Sequence, residues 1–122
     1  MSKLEKLVPP MELCKLIPKG EFEDSYAIYV YIYGEWLLFP VANCAADIKE
    51  KHPYYSAPTL EDIMAELPSC VCYRINEEWS VGLVNDRFEN AIKDSNGATA
   101  ALKLWLKLKG VNYENSDNQR EA

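Results

Sequence analysis

The chain has 122 residues, 48% apolar and 26% charged, enough to bury one core without metal or disulfide staples. Its apolar runs fall well short of the roughly 18 residues needed to span a bilayer, which argues against membrane insertion. The net charge of −6 is uneven: residues 21–94 hold fourteen acids against five bases, a field that disfavours broad contact with a phosphate backbone.

Residues 1–10 carry two lysines but neither a continuous apolar core nor a small-residue cleavage site, so they do not read as a secretory signal and the expected location is cytoplasmic. Pro9-Pro10 followed by Met11, Leu13, Leu16 and Ile17 predicts a short helix with proline in its first turn, stopped by Pro18 and Gly20.

The run from Tyr26 to Val41 predicts the first β-hairpin. Side chains alternate across a strand, so Tyr26, Ile28, Val30 and Ile32 share one face and Tyr29, Tyr31 and Tyr33 the other. Gly34-Glu35 fits a type II′ turn with glycine in the position of positive φ, pairing Tyr33 with Trp36, Tyr31 with Leu38 and Tyr29 with Pro40. The aliphatic face, extended by Leu37, Phe39 and Val41, is the expected core. The opposite face, built on Tyr29, Tyr31, Tyr33, Trp36 and Leu38, is the candidate interaction surface, because tyrosine and tryptophan dominate interface cores.

Residues 43–58 show no sustained period and read as a surface loop, with a helical turn over 45–51 broken at His52-Pro53. Thr59-x-x-Asp62 resembles a capping box and opens a helix carrying Leu60, Ile63, Met64 and Leu67 to Pro68. Cys70 to Ile75 and Trp79 to Val84 form a second hairpin, with Val71, Tyr73 and Ile75 on one face and Cys70, Cys72 and Arg74 on the other. A final helix begins near Ser95 or Asn96 and runs to Lys109, with Gly110 at its C′ position. Its apolar stripe is so wide that burial on two sides is expected, against loops or a second copy. Residues 112–122 form a polar tail expected to fray.

These elements predict an α+β fold: two hairpins in an antiparallel sheet with helices packed on one face and a C-terminal helix completing the cover. The single domain spans residues 1–111. Glu12 to Pro18 can be laid over Asp62 to Pro68, and Ile32 to Trp36 over Ile75 to Trp79, a correspondence that suggests αββ half-repeats over 9–42 and 58–85.

Chemistry is sparse. Cys14, Cys44, Cys70 and Cys72 contain no C-x₂-C pair, and with His52 as the single histidine they read as free thiols rather than metal ligands. His52 has no nearby partner set for nucleophilic catalysis, and the five glycines include no phosphate-binding loop. No catalytic residue and no cofactor is assigned. The preferred reading is an acidic, non-enzymatic module that binds a protein partner or itself. The alternative is a small-molecule binder or small enzyme using an acidic loop such as Glu21, Glu23 and Asp24. Single-stranded nucleic acid, with Arg74 flanking stacked bases, ranks third.

The segments ELCKLIPKGEFEDS (Glu12 to Ser25), APTLEDIMAELP (Ala57 to Pro68), EEWSVGLV (Glu77 to Val84) and GATAALKLWLKLKG (Gly97 to Gly110) resemble small proteins of unknown function from phages and prophage-like elements of gut Bacteroidales. The resemblance covers most of the chain, but its motifs are helix ends, a Trp-containing hairpin and a Leu-Trp-Leu helix. It implies a phage or mobile-element origin and carries over no catalytic residue.

Overall fold

A computed structural model describes residues 3–84, 87 and 91–111; the polar tail at 112–122 lies outside the described residues. Helices α1 (Lys3–Leu7) and α2 (Met11–Cys14) precede the first hairpin, β1 (Ala27–Ile32) and β2 (Glu35–Pro40). A 3₁₀ turn (Val41–Asn43) and helix α3 (Ile48–Lys51) lead to β3 (Tyr54–Ala57). Helix α4 (Leu60–Met64) leads to the second hairpin, β4 (Cys70–Ile75) and β5 (Glu78–Leu83), followed by β6 (Ile92–Asp94) and α5 (Gly97–Leu108). The class is α+β. The two hairpins, expected to share a sheet, instead lie in two three-stranded antiparallel sheets, ordered β2-β1-β3 and β4-β5-β6.

Strands β3 and β6 account for that difference. Neither was legible as a strand, and each adds to one hairpin and completes a separate sheet. The hairpins themselves match closely: Ile32 pairs with Glu35 and Ile75 with Glu78 across two-residue turns. The sheets around them do not match, since β3 adds to the first strand of its hairpin and β6 to the second strand of its own. β3 and β6 lie outside the segments 9–42 and 58–85, within which a short helix, α2 or α4, precedes each hairpin; the internal duplication is not confirmed.

The first turn corrects the predicted register. Its central residues are Tyr33 and Gly34, with φ of 51° and 83°, a type I′ geometry, rather than Gly34 and Glu35. Tyr31 consequently faces Trp36, and Tyr29 faces Leu38. Moving the turn by one residue shifts the pairing by two, so the side chains within β1 and β2 keep their predicted faces while Tyr33 passes from the strand into the turn.

Which face meets the core also differs from expectation. Ile28 and Val30 are fully buried, but so is Ala27 on the tyrosine side, and Tyr29 and Leu38 pack against the principal cluster with Ala57 and Tyr55. β1 is the central strand of its sheet and is buried on both faces, by Ala27 on one and by Ile28 and Val30 on the other. The small Ala27 and Ala57, paired across β1 and β3, leave room for the helices to approach.

Helix α5 lies at the centre of that cluster. Every residue from Gly97 to Leu106 except Lys103 is buried, as its wide apolar stripe predicts. The Asn96 side chain caps it by accepting from Thr99 N–H at 3.0 Å, and its amide donates to the carbonyls of Val8 (3.1 Å) and Lys6 (3.3 Å). One residue thus starts α5 and ties down the segment before α2. Gly110, with φ of +77°, follows the C-terminal turn as expected.

The capping box on α4 is present. Thr59 Oγ1 accepts from Asp62 N–H at 3.3 Å, and Asp62 Oδ2 accepts from Thr59 N–H at 3.0 Å. No helix among the described residues is long and apolar enough to cross a membrane.

Candidate functional site

The register divides the five candidate surface residues into two groups. Tyr29 and Leu38 face each other at the buried end of the hairpin. The Tyr29 hydroxyl donates to the Pro9 carbonyl at 2.8 Å, and burial, reinforced by Cys14 and Glu5, pushes its pKa well above the ordinary tyrosine value. These two residues are structural. Tyr31, Tyr33 and Trp36 occupy the opposite, solvent end.

At that end the rings form a connected set. Tyr31 and Trp36 lie with centroids 5.2 Å apart at 56°, and Trp36 and Tyr55 lie 5.1 Å apart at 32°. Such tilted pairs contribute about 0.5–1.5 kcal/mol beyond burial. Tyr55 was missed because residues 43–58 read as a loop. The signal available was Tyr54-Tyr55-Ser56-Ala57, a short β-prone run bracketed by Pro53 and Pro58.

Tyr33 is the outlier of the set. Its exposure is 101%, and its φ of +51° is the left-handed conformation that bulky side chains rarely adopt. Phe22 also has positive φ, at 56°, but its ring packs on Trp105 with centroids 4.8 Å apart. Packing repays the backbone of Phe22; Tyr33 has no comparable burial.

The polar chemistry lies elsewhere. Glu23 accepts from the Tyr54 hydroxyl at 2.9 Å, and Lys49 donates to the Glu23 carbonyl at 2.7 Å. The Lys49 ammonium also sits 5.2 Å from the Tyr54 ring centroid. Burial and the bond to Glu23 raise the Tyr54 pKa. This group borders a depression of about 390 Å³ that His52 and Cys14 also line. A second depression, of about 500 Å³, is lined by Glu21, Glu23, Asp24, Glu61, Asp62 and Glu66.

All four cysteines are free. Burial pushes the Cys14 thiol up to about 12, so it stays protonated at neutral pH and is a poor nucleophile. Burial also raises Cys44, Cys70 and Cys72. Among the described residues, no group of three His, Cys, Asp or Glu side chains is arranged to hold a metal ion.

The second sheet carries an exposed apolar row that sequence reasoning did not single out. Val71, Tyr73 and Ile75 are 40%, 43% and 60% exposed, while Cys72, Val81, Leu83 and Ile92 face the core. Both faces of β4 are largely apolar in sequence, so alternation alone could not choose between them. The discriminating residues are Ser80 and Gly82 on β5, which sit opposite Tyr73 and Val71 and leave that face too thin to build a core. Arg74 lies over the Trp79 ring in this sheet, 5.9 Å from its centroid.

No protein-family model, curated protein or solved structure matches this chain.

Proposed function

We propose that the chain is a non-catalytic protein-interaction module whose contact surface is the solvent end of the first hairpin: Tyr31, Tyr33 and Trp36, backed by Tyr55. The observation that carries this reading is Tyr33. A fully exposed aromatic in left-handed backbone costs about 1 kcal/mol or more and contributes no packing to the fold, which favours a role outside it. Tyr31, 40% exposed, and the half-buried Trp36 supply a rigid aromatic base beside it. The resemblance to phage and prophage-type proteins supports a bacterial host protein as the partner and the bacterial cytoplasm as the setting.

The acidic-loop alternative has less support, because Glu23 and Asp62 are already engaged by Tyr54 and by two backbone N–H groups. Nucleic-acid stacking has less still, with Arg74 held over Trp79 in the other sheet.

The test is a quantitative pull-down from a gut Bacteroidales lysate, comparing wild type with a folded Tyr31→Ser/Tyr33→Asn variant. Tyr29 is left intact because its hydroxyl holds Pro9. Loss of a specific partner by tenfold or more in the variant supports the surface. Equal recovery, or no specific recovery by either protein, overturns it.

A further inference from the structure

Each hairpin leaves a strand at the edge of its sheet, and backbone alternation identifies the groups that find no strand partner among the described residues. In an antiparallel pair, residues that exchange both N–H···O=C bonds with the facing strand alternate with residues whose groups point away. The bond from Val84 N–H to the Ser69 carbonyl, 3.0 Å, continues the register that sets Cys70 opposite Leu83. Ser69, Val71, Tyr73 and Ile75 therefore bond toward β5. The N–H and C=O groups of Cys70, Cys72 and Arg74 point to the open side of β4.

Of the four edge strands among the described residues, β2, β3, β4 and β6, three carry protection. Pro40 interrupts the donors of β2, and α1 lies against that strand. Strand β3 has four residues between Pro53 and Pro58, and β6 has three. Strand β4 has six residues, no proline and an uninterrupted register, and its one charge, Arg74, is drawn over Trp79. Monomeric proteins blunt an edge of this kind.

The geometry points to β4 as a seam between two copies of this chain, paired antiparallel about a two-fold axis at Cys72 and fusing two three-stranded sheets into one of six strands. A two-fold axis normal to the sheet sets each residue opposite one on the same face, so the axis must pass midway between one residue of β4 and the same residue of the second copy. Centred on Cys72, the register pairs Cys72 with its counterpart and Cys70 with Arg74, so all three outward-facing residues bond. Centred on Tyr73, it would leave Cys70 facing the turn at Asn76.

The Cys72 register also sets Val71 against Tyr73 of the second copy, a favourable branched-aromatic pair, and places no like charges opposite one another. A six-residue edge buries less than the about 800 Å² per partner of a standard interface, so the dimer belongs to the weak class and forms as protein concentration rises. This inference is independent of the first-hairpin surface.

Two variants test it: Cys44→Ser/Cys70→Ser keeps Cys72 on β4, and Cys44→Ser/Cys72→Ser keeps Cys70, with Cys14 buried in both. In the proposed dimer the Cys72 Cα atoms stand about 5.5 Å apart, inside the disulfide range of about 4.4–6.8 Å. The Cys70 pair is offset by four residues, about 13 Å along the strand. In a glutathione redox buffer at high protein concentration, the Cys72 variant is expected to form covalent dimer at least tenfold faster than the Cys70 variant. A Cys72→Pro variant, which keeps every bond to β5 but loses the outward N–H along with the thiol packed on the core, should weaken dimerisation at least tenfold in sedimentation equilibrium. Equal cross-linking rates, a monomer throughout the concentration series, or a dimer indifferent to Cys72→Pro in a folded variant would each overturn the seam.

Discussion

The Asp62 carboxylate accepts the Tyr26 backbone N–H at 3.0 Å while accepting the Thr59 N–H at the same distance. A helix cap is thereby coupled to the entry of β1, 36 residues earlier in the chain. Asp62→Ala should lose both bonds and cost about 2–3 kcal/mol, more than the roughly 1 kcal/mol typical of a cap alone. Chemical denaturation checks this. A loss no greater than that of Thr59→Ala would mean that the bond to Tyr26 contributes nothing.

Gly97 opens α5 against Trp79. A Cβ at that position would stand 3.0 Å from the Trp79 Cδ2 and 3.3 Å from the Leu60 Cδ2. Gly97→Ala should therefore destabilise the fold by about 1–3 kcal/mol through overpacking, despite the better helix propensity of alanine. Denaturation midpoints and the near-ultraviolet circular dichroism of Trp79 report the loss and the ring displacement.

Alkaline pH should weaken the fold through Cys14 and Tyr29. Both pKa values are raised in the folded protein, so the unfolded chain ionises first, from about pH 9 for Cys14 and pH 10 for Tyr29. The stability they contribute is complete below those values and declines as pH rises toward the folded-state pKa. For Cys14 the decline is about 1.4 kcal/mol per pH unit between roughly pH 9 and 12. Cys14→Ala should be less stable at pH 7 but fall less steeply above pH 9. Urea denaturation across pH 7 to 11 tests both statements.

The two hairpin turns carry complementary departures from the Asn-Gly preference of type I′. Tyr33-Gly34 has its glycine in second place, while Asn76-Glu77 has its asparagine in first place and sets Glu77 at φ of +67°. Glu77→Gly should raise stability by about 0.5–1 kcal/mol, relieving backbone at an exposed turn. A loss on this substitution, measured by thermal or chemical denaturation, would show that the Glu77 side chain earns its place through contacts.

Sequence reading was most successful where local chemistry decides. The Thr59-Asp62 box, the start of α5 near Ser95 or Asn96, the Gly110 stop and both hairpins follow from residues within a few positions of one another. Local chemistry does not decide which central position of a turn a glycine takes: Gly34 suits the first of a II′ turn yet stands second in a I′ turn, because nothing local predicts a tyrosine at positive φ. Sequence reading also misses β3 and β6, whose four and three residues pair only through partners far along the chain. Those two strands decide that there are two sheets and bring Tyr55 to Trp36. The outward face of β4 was equally non-local, set by Ser80 and Gly82 on the neighbouring strand.

The central claim is that Tyr33 serves a contact and not the fold, and one substitution separates the two roles. Tyr33→Asn keeps the turn, since asparagine tolerates left-handed backbone, and should raise folding stability by about 0.5–1 kcal/mol. The same variant, in a quantitative pull-down from a Bacteroidales lysate, should recover the wild-type partner at least tenfold less well. A variant that is less stable than wild type, or that recovers the same proteins in the same amounts, would contradict the account.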